Sequence, residues 1–144
     1  MKRILIADDH ESVLRRVRGM IESHDGWEIC GDAVTGRQTV AQAVELKPDL
    51  VVLDFAMPQM DGLKAAAAIK VLLPQIPIVM FTMYCSAVTG EAERHGILRV
   101  IDKAKSGALL TAIEEVFATQ ELPNPQQAAP DSPPPTKIQL NRAS

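Results

Sequence analysis

The chain has 144 residues, 47% of them hydrophobic and only 3% aromatic, and its 18 acids against 15 lysines and arginines give a formal net charge of −3. This length fits one domain with an aliphatic core. The mixed, slightly acidic charge argues against a basic nucleic-acid surface and against a polybasic membrane patch.

The opening MKRILIADDH is basic and then apolar, like a secretory signal. Its apolar part, Ile4 to Ala7, is too short for a signal h-region. No apolar run approaches the ~18 residues of a spanning helix. The expectation is a soluble, cytoplasmic protein.

Ile4 to Ala7 reads as a first strand. Val13, Leu14, Val17, Met20 and Ile21 recur at helical spacing and predict an amphipathic helix from Glu11 to about His24. Asp25-Gly26 is a turn, and Trp27 to about Ala33 a second strand. Thr35-Gly36-Arg37-Gln38 has the capping-box pattern and opens a helix through Leu46. Lys47-Pro48-Asp49 ends it. Leu50 to Leu53 is fully apolar, as a central parallel strand should be.

An alanine-rich helix is predicted from about Gly62 to Leu73, stopped by Pro74. Ile76 to Phe81 is the fourth strand, with Pro77 at its entry. Ser86 to His95 is a weaker helix, and Arg99 to Asp102 a fifth strand. Ser106 is placed to cap a last helix whose apolar stripe is Leu109, Leu110, Ile113, Val116 and Phe117. Five strand–helix units in regular alternation imply a parallel sheet with helices on both faces. From about Gln120 the composition changes: the final stretch holds six of the ten prolines and reads as a disordered tail or a linker. The domain boundaries expected are 1–119 and 120–144.

In an open parallel sheet the ligand site lies beyond the carboxyl ends of the strands. Here those ends carry Asp8 and Asp9, then Asp54, Thr82 and Lys103. Two like charges about 5 Å apart repel by roughly 3 kcal/mol at an effective dielectric near 20. Three carboxylates gathered there call for a counter-ion or a proton, and a hard divalent cation such as Mg²⁺, which takes oxygen donors, suits them. Lys103 adds a point charge for a phosphoryl oxygen, and Thr82 a hydroxyl donor. Together they describe a phosphoryl-acceptor site.

The motifs ILIADDH at Ile4–His10, LDFAMPQMDG at Leu53–Gly62, IVMFTM at Ile78–Met83 and VIDKA at Val100–Ala104, in this order, resemble a response regulator receiver domain of two-component signalling. The resemblance covers residues 1 to about 119. It implies a doubly wound, flavodoxin-like five-stranded sheet of order 2-1-3-4-5, an order for which a receiver is a standard example. It implies that Asp54 accepts a phosphoryl group from a histidine kinase or a histidine phosphotransfer protein. Asp9 would hold Mg²⁺ directly and Asp8 through water, with Asp54 and the Ala56 backbone carbonyl completing the protein's share. Lys103 would pair with the phosphoryl group, and Thr82 would hydrogen-bond it and report its presence. Slow self-dephosphorylation is implied rather than enzymatic turnover. The implied output is a change of partner binding on the face formed by helix 4, strand 5 and helix 5. The output protein stays unidentified, a phosphorylation-dependent homodimer is left open, and no direct nucleic-acid or membrane contact by this chain is expected.

Several positions depart from the family pattern. Val100 stands where a switch aromatic is usual and reads as a core strand residue. Ala104 follows the lysine where many members have proline, and a cis bond there without proline would cost about 3 kcal/mol. Met83 is bulkier than the usual small residue, and TM at Thr82-Met83 resembles the branch that carries helix-turn-helix output domains. Tyr84 and Ala56 hold positions that tune water attack in the family, so Tyr84 is expected to screen the attacking water in part. Met57 reads as packing, Asp61 as a cap or turn residue, and Trp27 as a partly buried strand residue. Cys30 and Cys85 read as reduced thiols. His10, His24 and His95 lack a ligand's helical spacing. PDSP at Pro130–Pro133 fits chance in a proline-rich stretch better than a recognition motif. Two other functions stay open: the receiver half of a DNA-binding regulator whose output domain is absent from this chain, and a hydrolase on the same fold with Asp8 as nucleophile.

Overall fold

The protein was analysed as a computed structural model, which describes residues 1–121. The chain divides into two units, Met1–Glu114 and Glu115–Ser144. The first carries five strands, β1 (Lys2–Ala7), β2 (Trp27–Ala33), β3 (Leu50–Leu53), β4 (Ile78–Thr82) and β5 (Arg99–Asp102). The helices are α1 (Glu11–Glu22), α2 (Gly36–Leu46), α3 (Gly62–Leu72), α4 (Cys85–Ala92) and α5 (Gly107–Glu121), the last of which runs on into the second unit. The helix includes Gln120 and Glu121, where a tail was expected to begin, and the rest of that expectation, with PDSP, lies outside the described residues. Among the described residues no helix is long and apolar enough to cross a membrane.

All strand pairs are parallel and the order is β2-β1-β3-β4-β5, as expected. Strand alternation sends successive residues to opposite faces, and both faces here are apolar. Leu5, Ala7, Val51, Leu53, Ile78 and Met80 share one buried cluster with Ala43 of α2, Ala66 and Ile69 of α3, and Val88 and Ala92 of α4. Their neighbours Ile4, Ile6, Leu50, Val52, Val79 and Phe81 are also buried. On that second face Ile6, Val52 and Phe81 line one small cavity with Val13, Leu14 and Val17 of α1. A run of apolar residues with no polar interruption is what two covered faces require.

The helix ends follow local chemistry. Thr35 caps α2, accepting from the Gln38 amide at 3.0 Å, and Gln38 Oε1 accepts from the Val34 amide at 2.9 Å. The capping box is thus reciprocal but reaches one residue further back than the usual N-cap amide. Lys47 ends α2 in the left-handed region at φ 47°. Asp61 caps α3, accepting from the Lys64 amide at 2.9 Å, as its cap reading required.

Five boundaries differ from the sequence reading. β1 begins two residues earlier, and α1 stops at Glu22 because Ser23 caps it. Ile76 lies in a turn, its amide bonded to the Leu73 carbonyl at 3.1 Å, so β4 starts at Ile78 and ends with Thr82. The helix expected to reach His95 tightens at Glu93–His95 into a 3-10 turn closed by Gly96 at φ 84°. Ser106 has helical backbone angles (φ −62°, ψ −28°) and continues the short turn Lys103–Lys105 into α5, where an extended N-cap was expected. Among the described residues no peptide bond is cis, Lys103–Ala104 included.

Candidate phosphoryl-acceptor site

Register alone brings the acids together. Ala7 pairs with Leu53 across β1 and β3, so the next residues, Asp8 and Asp54, leave the sheet side by side. The Asp54 amide donates to the Ala7 carbonyl at 3.1 Å, extending the ladder one step beyond the strands. Both acids are 3% exposed. Lys103, at the end of β5, reaches back to both: its Nζ lies 2.5 Å from Asp8 Oδ2 and 2.9 Å from Asp54 Oδ2.

Burial alone would lower the Lys103 pKa by disfavouring its charge. The hydrogen bonds to Asp8 and Asp54, with their charges, outweigh that and hold the ammonium above the ordinary lysine range. The second Asp54 oxygen, Oδ1, accepts from the Phe55 amide at 2.7 Å. Asp54 is therefore fixed at both oxygens, by a cation and by a backbone donor.

The loop after Asp54 is shaped by close backbone approach. A Cβ on Gly62 would sit 2.1 Å from the Asp54 carbonyl oxygen and 2.8 Å from Leu53 Cδ1. The Gly62 amide donates to the Phe55 carbonyl at 2.7 Å. At the other side of the loop a Cβ on Gly36 would meet the Met60 carbonyl oxygen at 1.9 Å. Gln59 turns the chain at φ 70° between these two pins. Met57 is buried in the apolar cluster, in line with its packing role.

The other expected site residues are placed less tightly. Thr82 is fully buried at the end of β4, and its hydroxyl accepts from the Tyr84 amide at 3.1 Å. Tyr84 is exposed, and its ring meets Phe55 edge to face with centroids 6.1 Å apart. Ala56 is partly buried in the loop. Val100 packs against the apolar cluster, as a core strand residue does.

Asp9 is exposed and pairs with a residue that sequence reasoning passed over: His10 Nδ1 lies 3.0 Å from Asp9 Oδ1 and 3.3 Å from Asp8 Oδ1. Donor atoms of Asp8, Asp9 and His10 all lie within 4.8 Å of one another. Helical spacing could not reveal His10, which adjoins the two acids in the strand-end turn. Adjacency to an acid pair was the available signal.

The set fits a hard divalent cation. Asp8 and Asp54 share one ammonium and Asp9 lies beside Asp8, so carboxylates outnumber the lysine at this edge and offer oxygen donors.

Known proteins share this fold. The family described as "Response regulator receiver domain" matches residues 4–114. The chain is 42% identical over 80 residues to a protein-glutamate methylesterase/protein-glutamine glutaminase of Alkalilimnicola ehrlichii, covering 56% of this chain and 20% of that one. It is 38% identical over 82 residues to the response regulator protein VraR of Staphylococcus aureus, covering 57% and 39%. It thus spans well under half the length of these curated relatives. Among solved structures, a LuxR-family two-component response regulator from Aurantimonas is 30% identical with a TM-score of 0.78, over 88% of this chain and 91% of that one. A CheY-like receiver domain protein from Methanospirillum hungatei is 28% identical, also at 0.78, over 84% and 97%.

Proposed function

The chain belongs to the response regulator receiver domain family, and we propose that within two-component signalling it accepts a phosphoryl group on Asp54. One observation carries this reading: Asp54 ends a fully buried strand with Lys103 Nζ at 2.9 Å from one carboxylate oxygen and a backbone amide at 2.7 Å from the other. The donor is a phosphohistidine of a kinase or phosphotransfer protein. An Asp54 oxygen forms the new bond to phosphorus, the phosphorus–nitrogen bond breaks, and the imidazole nitrogen keeps the electron pair. Lys103, already charged, pairs with an oxygen of the transferred group.

Asp8, Asp9, Asp54 and the Ala56 carbonyl would hold Mg²⁺, which when bound offsets the negative charge of the phosphoryl oxygens. Thr82 gives its hydroxyl to the phosphoryl group in the same reading, in exchange for its present bond from Tyr84. Tyr84, lying edge-on to Phe55, screens part of the water approach. The chain has no catalytic turnover beyond slow loss of its own phosphoryl group.

The output is altered binding on the α4–β5–α5 face. In support, an open groove of about 380 Å³ lies along α4 and β5, with Val100 and the exposed Leu98 in its wall. In the same reading residues 1–119 form the receiver and 120–144 a tail or linker, and the output protein stays unidentified. The test is intact-mass spectrometry after incubation with Mg²⁺ and acetyl phosphate or phosphoramidate. A single phosphoryl adduct that requires Mg²⁺ and vanishes in Asp54→Asn is expected. An adduct located on Asp8 would replace this reading with the Asp8-nucleophile hydrolase.

A further inference from the structure

His10 occupies the N-cap of α1 in an extended conformation (φ −103°, ψ 114°), yet its side chain makes no capping hydrogen bond. That position ordinarily takes a short polar side chain which satisfies a helix amide. The imidazole instead turns back over the strand end, with Nδ1 3.0 Å from Asp9 Oδ1 and 3.3 Å from Asp8 Oδ1. The rest of the ring is open to solvent, the side chain being 67% exposed.

These separations have a geometric meaning. Neighbouring donors about 2.1 Å from one octahedral ion stand about 3.0 Å apart. Asp9 Oδ1 and His10 Nδ1 match that edge, and Asp8 Oδ1 lies only slightly beyond it. Asp8 is divided between two tasks: Oδ2 meets Lys103, while Oδ1 faces the imidazole and accepts from the His10 amide at 2.9 Å. The ring nitrogen therefore faces the Asp8 oxygen that Lys103 does not contact.

We propose that His10 Nδ1 is a further donor to the cation held by Asp8 and Asp9, and that it makes the site favour a nitrogen-accepting first-row transition ion over Mg²⁺. The inference rests on the cation site described above. Imidazole is a good ligand for the later divalent metals and a poor one for Mg²⁺, which keeps water in that place. Binding takes the lone pair of Nδ1, the ring nitrogen that faces both carboxylates. Seen this way, the missing cap and the His–Asp–Asp grouping have one cause.

The test is calorimetric titration of the untagged full chain with Mg²⁺ and separately with Co²⁺, for wild type, His10→Gln, His10→Asn, Asp9→Asn and the control His24→Gln. Wild type should bind Co²⁺ at least about tenfold more tightly than Mg²⁺. Both His10 variants should lose about tenfold or more in Co²⁺ affinity and change far less for Mg²⁺, with His24→Gln matching wild type. Co²⁺ affinity unaltered by both His10 substitutions, or no preference for Co²⁺ in wild type, would overturn the proposal. The Mg²⁺ arm separates the two ideas. If Asp9→Asn weakens Mg²⁺ while His10 proves irrelevant to Co²⁺, the carboxylate site stands without its histidine. If wild type binds no Mg²⁺ at all, the cation reading itself fails.

Discussion

Lys103 Nζ lies 2.9 Å from Asp54 Oδ2 and within contact of Asp8 Oδ2, so one ammonium bridges two buried carboxylates from the ends of different strands. The three side chains are 7%, 4% and 5% exposed, respectively. Removing the lysine leaves two like charges facing each other with little water. Breaking a buried ion pair from one side costs about 3–5 kcal/mol, so Lys103→Met should lose about 3 kcal/mol in urea denaturation. Mg²⁺ should restore part of that, because a ligand that binds only the folded state stabilises it. Lys103→Met that is as stable as wild type without Mg²⁺ would contradict the bridging role.

Gly62 sits where a Cβ would be 2.1 Å from the Asp54 carbonyl oxygen, a backbone atom that cannot swing away. Gly62→Ala should therefore destabilise by about 1–3 kcal/mol and slow phosphoryl labelling by displacing Asp54. Gly90 in α4 is the contrast, since a Cβ there meets nothing within 4 Å. Gly90→Ala should stabilise by about 0.5–1 kcal/mol through helix propensity. Thermal melts of the two variants should move in opposite directions.

Tyr84 is 52% exposed and meets Phe55 edge to face beside Asp54. Tyr84→Ala opens that approach and should speed loss of the phosphoryl group several-fold, while Tyr84→Phe stays close to wild type. The decay of the mass adduct after removal of donor reads this out; an unchanged half-life in Tyr84→Ala would leave the ring without a screening role.

The two thiols should be sluggish nucleophiles. Burial pushes the Cys30 thiol up, Arg3 opposing it, and burial with the charge of Asp102 raises Cys85. Only the thiolate is alkylated, and a raised pKa lowers the thiolate fraction at any pH below it. Iodoacetamide rates for Cys30→Ser and Cys85→Ser, each keeping one thiol, should rise with midpoints above the ~8.5 of a free cysteine. A midpoint below that of a cysteine peptide would contradict the shift.

The Asp61 carboxylate accepts from the Lys64 amide at 2.9 Å and caps α3. Asp61→Ala should cost about 1 kcal/mol and leave Mg²⁺ affinity unaltered, since Asp61 serves the helix. A large loss of Mg²⁺ binding in this variant would move Asp61 into the cation site.

Much of this molecule was readable from the order of its residues. Apolar runs such as Leu50–Leu53, the caps Thr35 and Asp61, and the alternation of strands with amphipathic helices are local patterns. Hydrogen-bond geometry and side-chain periodicity fix those within a few residues of chain. Parallel alternation then forces the residues at the strand ends to one sheet edge, which is why the sequence alone groups Asp8, Asp54, Thr82 and Lys103.

What only the tertiary structure decided concerns distances between segments remote in sequence. Nothing local to Lys103 says that it bridges Asp8 as well as Asp54, or that Gly62 must lack a Cβ because the Asp54 carbonyl passes beside it. The cap of the last helix at Ser106 and the start of β4 at Ile76 were misplaced because neighbouring turns, rather than periodicity, set those backbone angles. His10 looked like an isolated histidine until its ring was seen turned toward two carboxylates and away from the helix it begins. The sequence carries the residue types and their period; the approach of one chain segment to another sets which atoms meet, because contact energies depend on separations of tenths of an ångström that no one-dimensional pattern records.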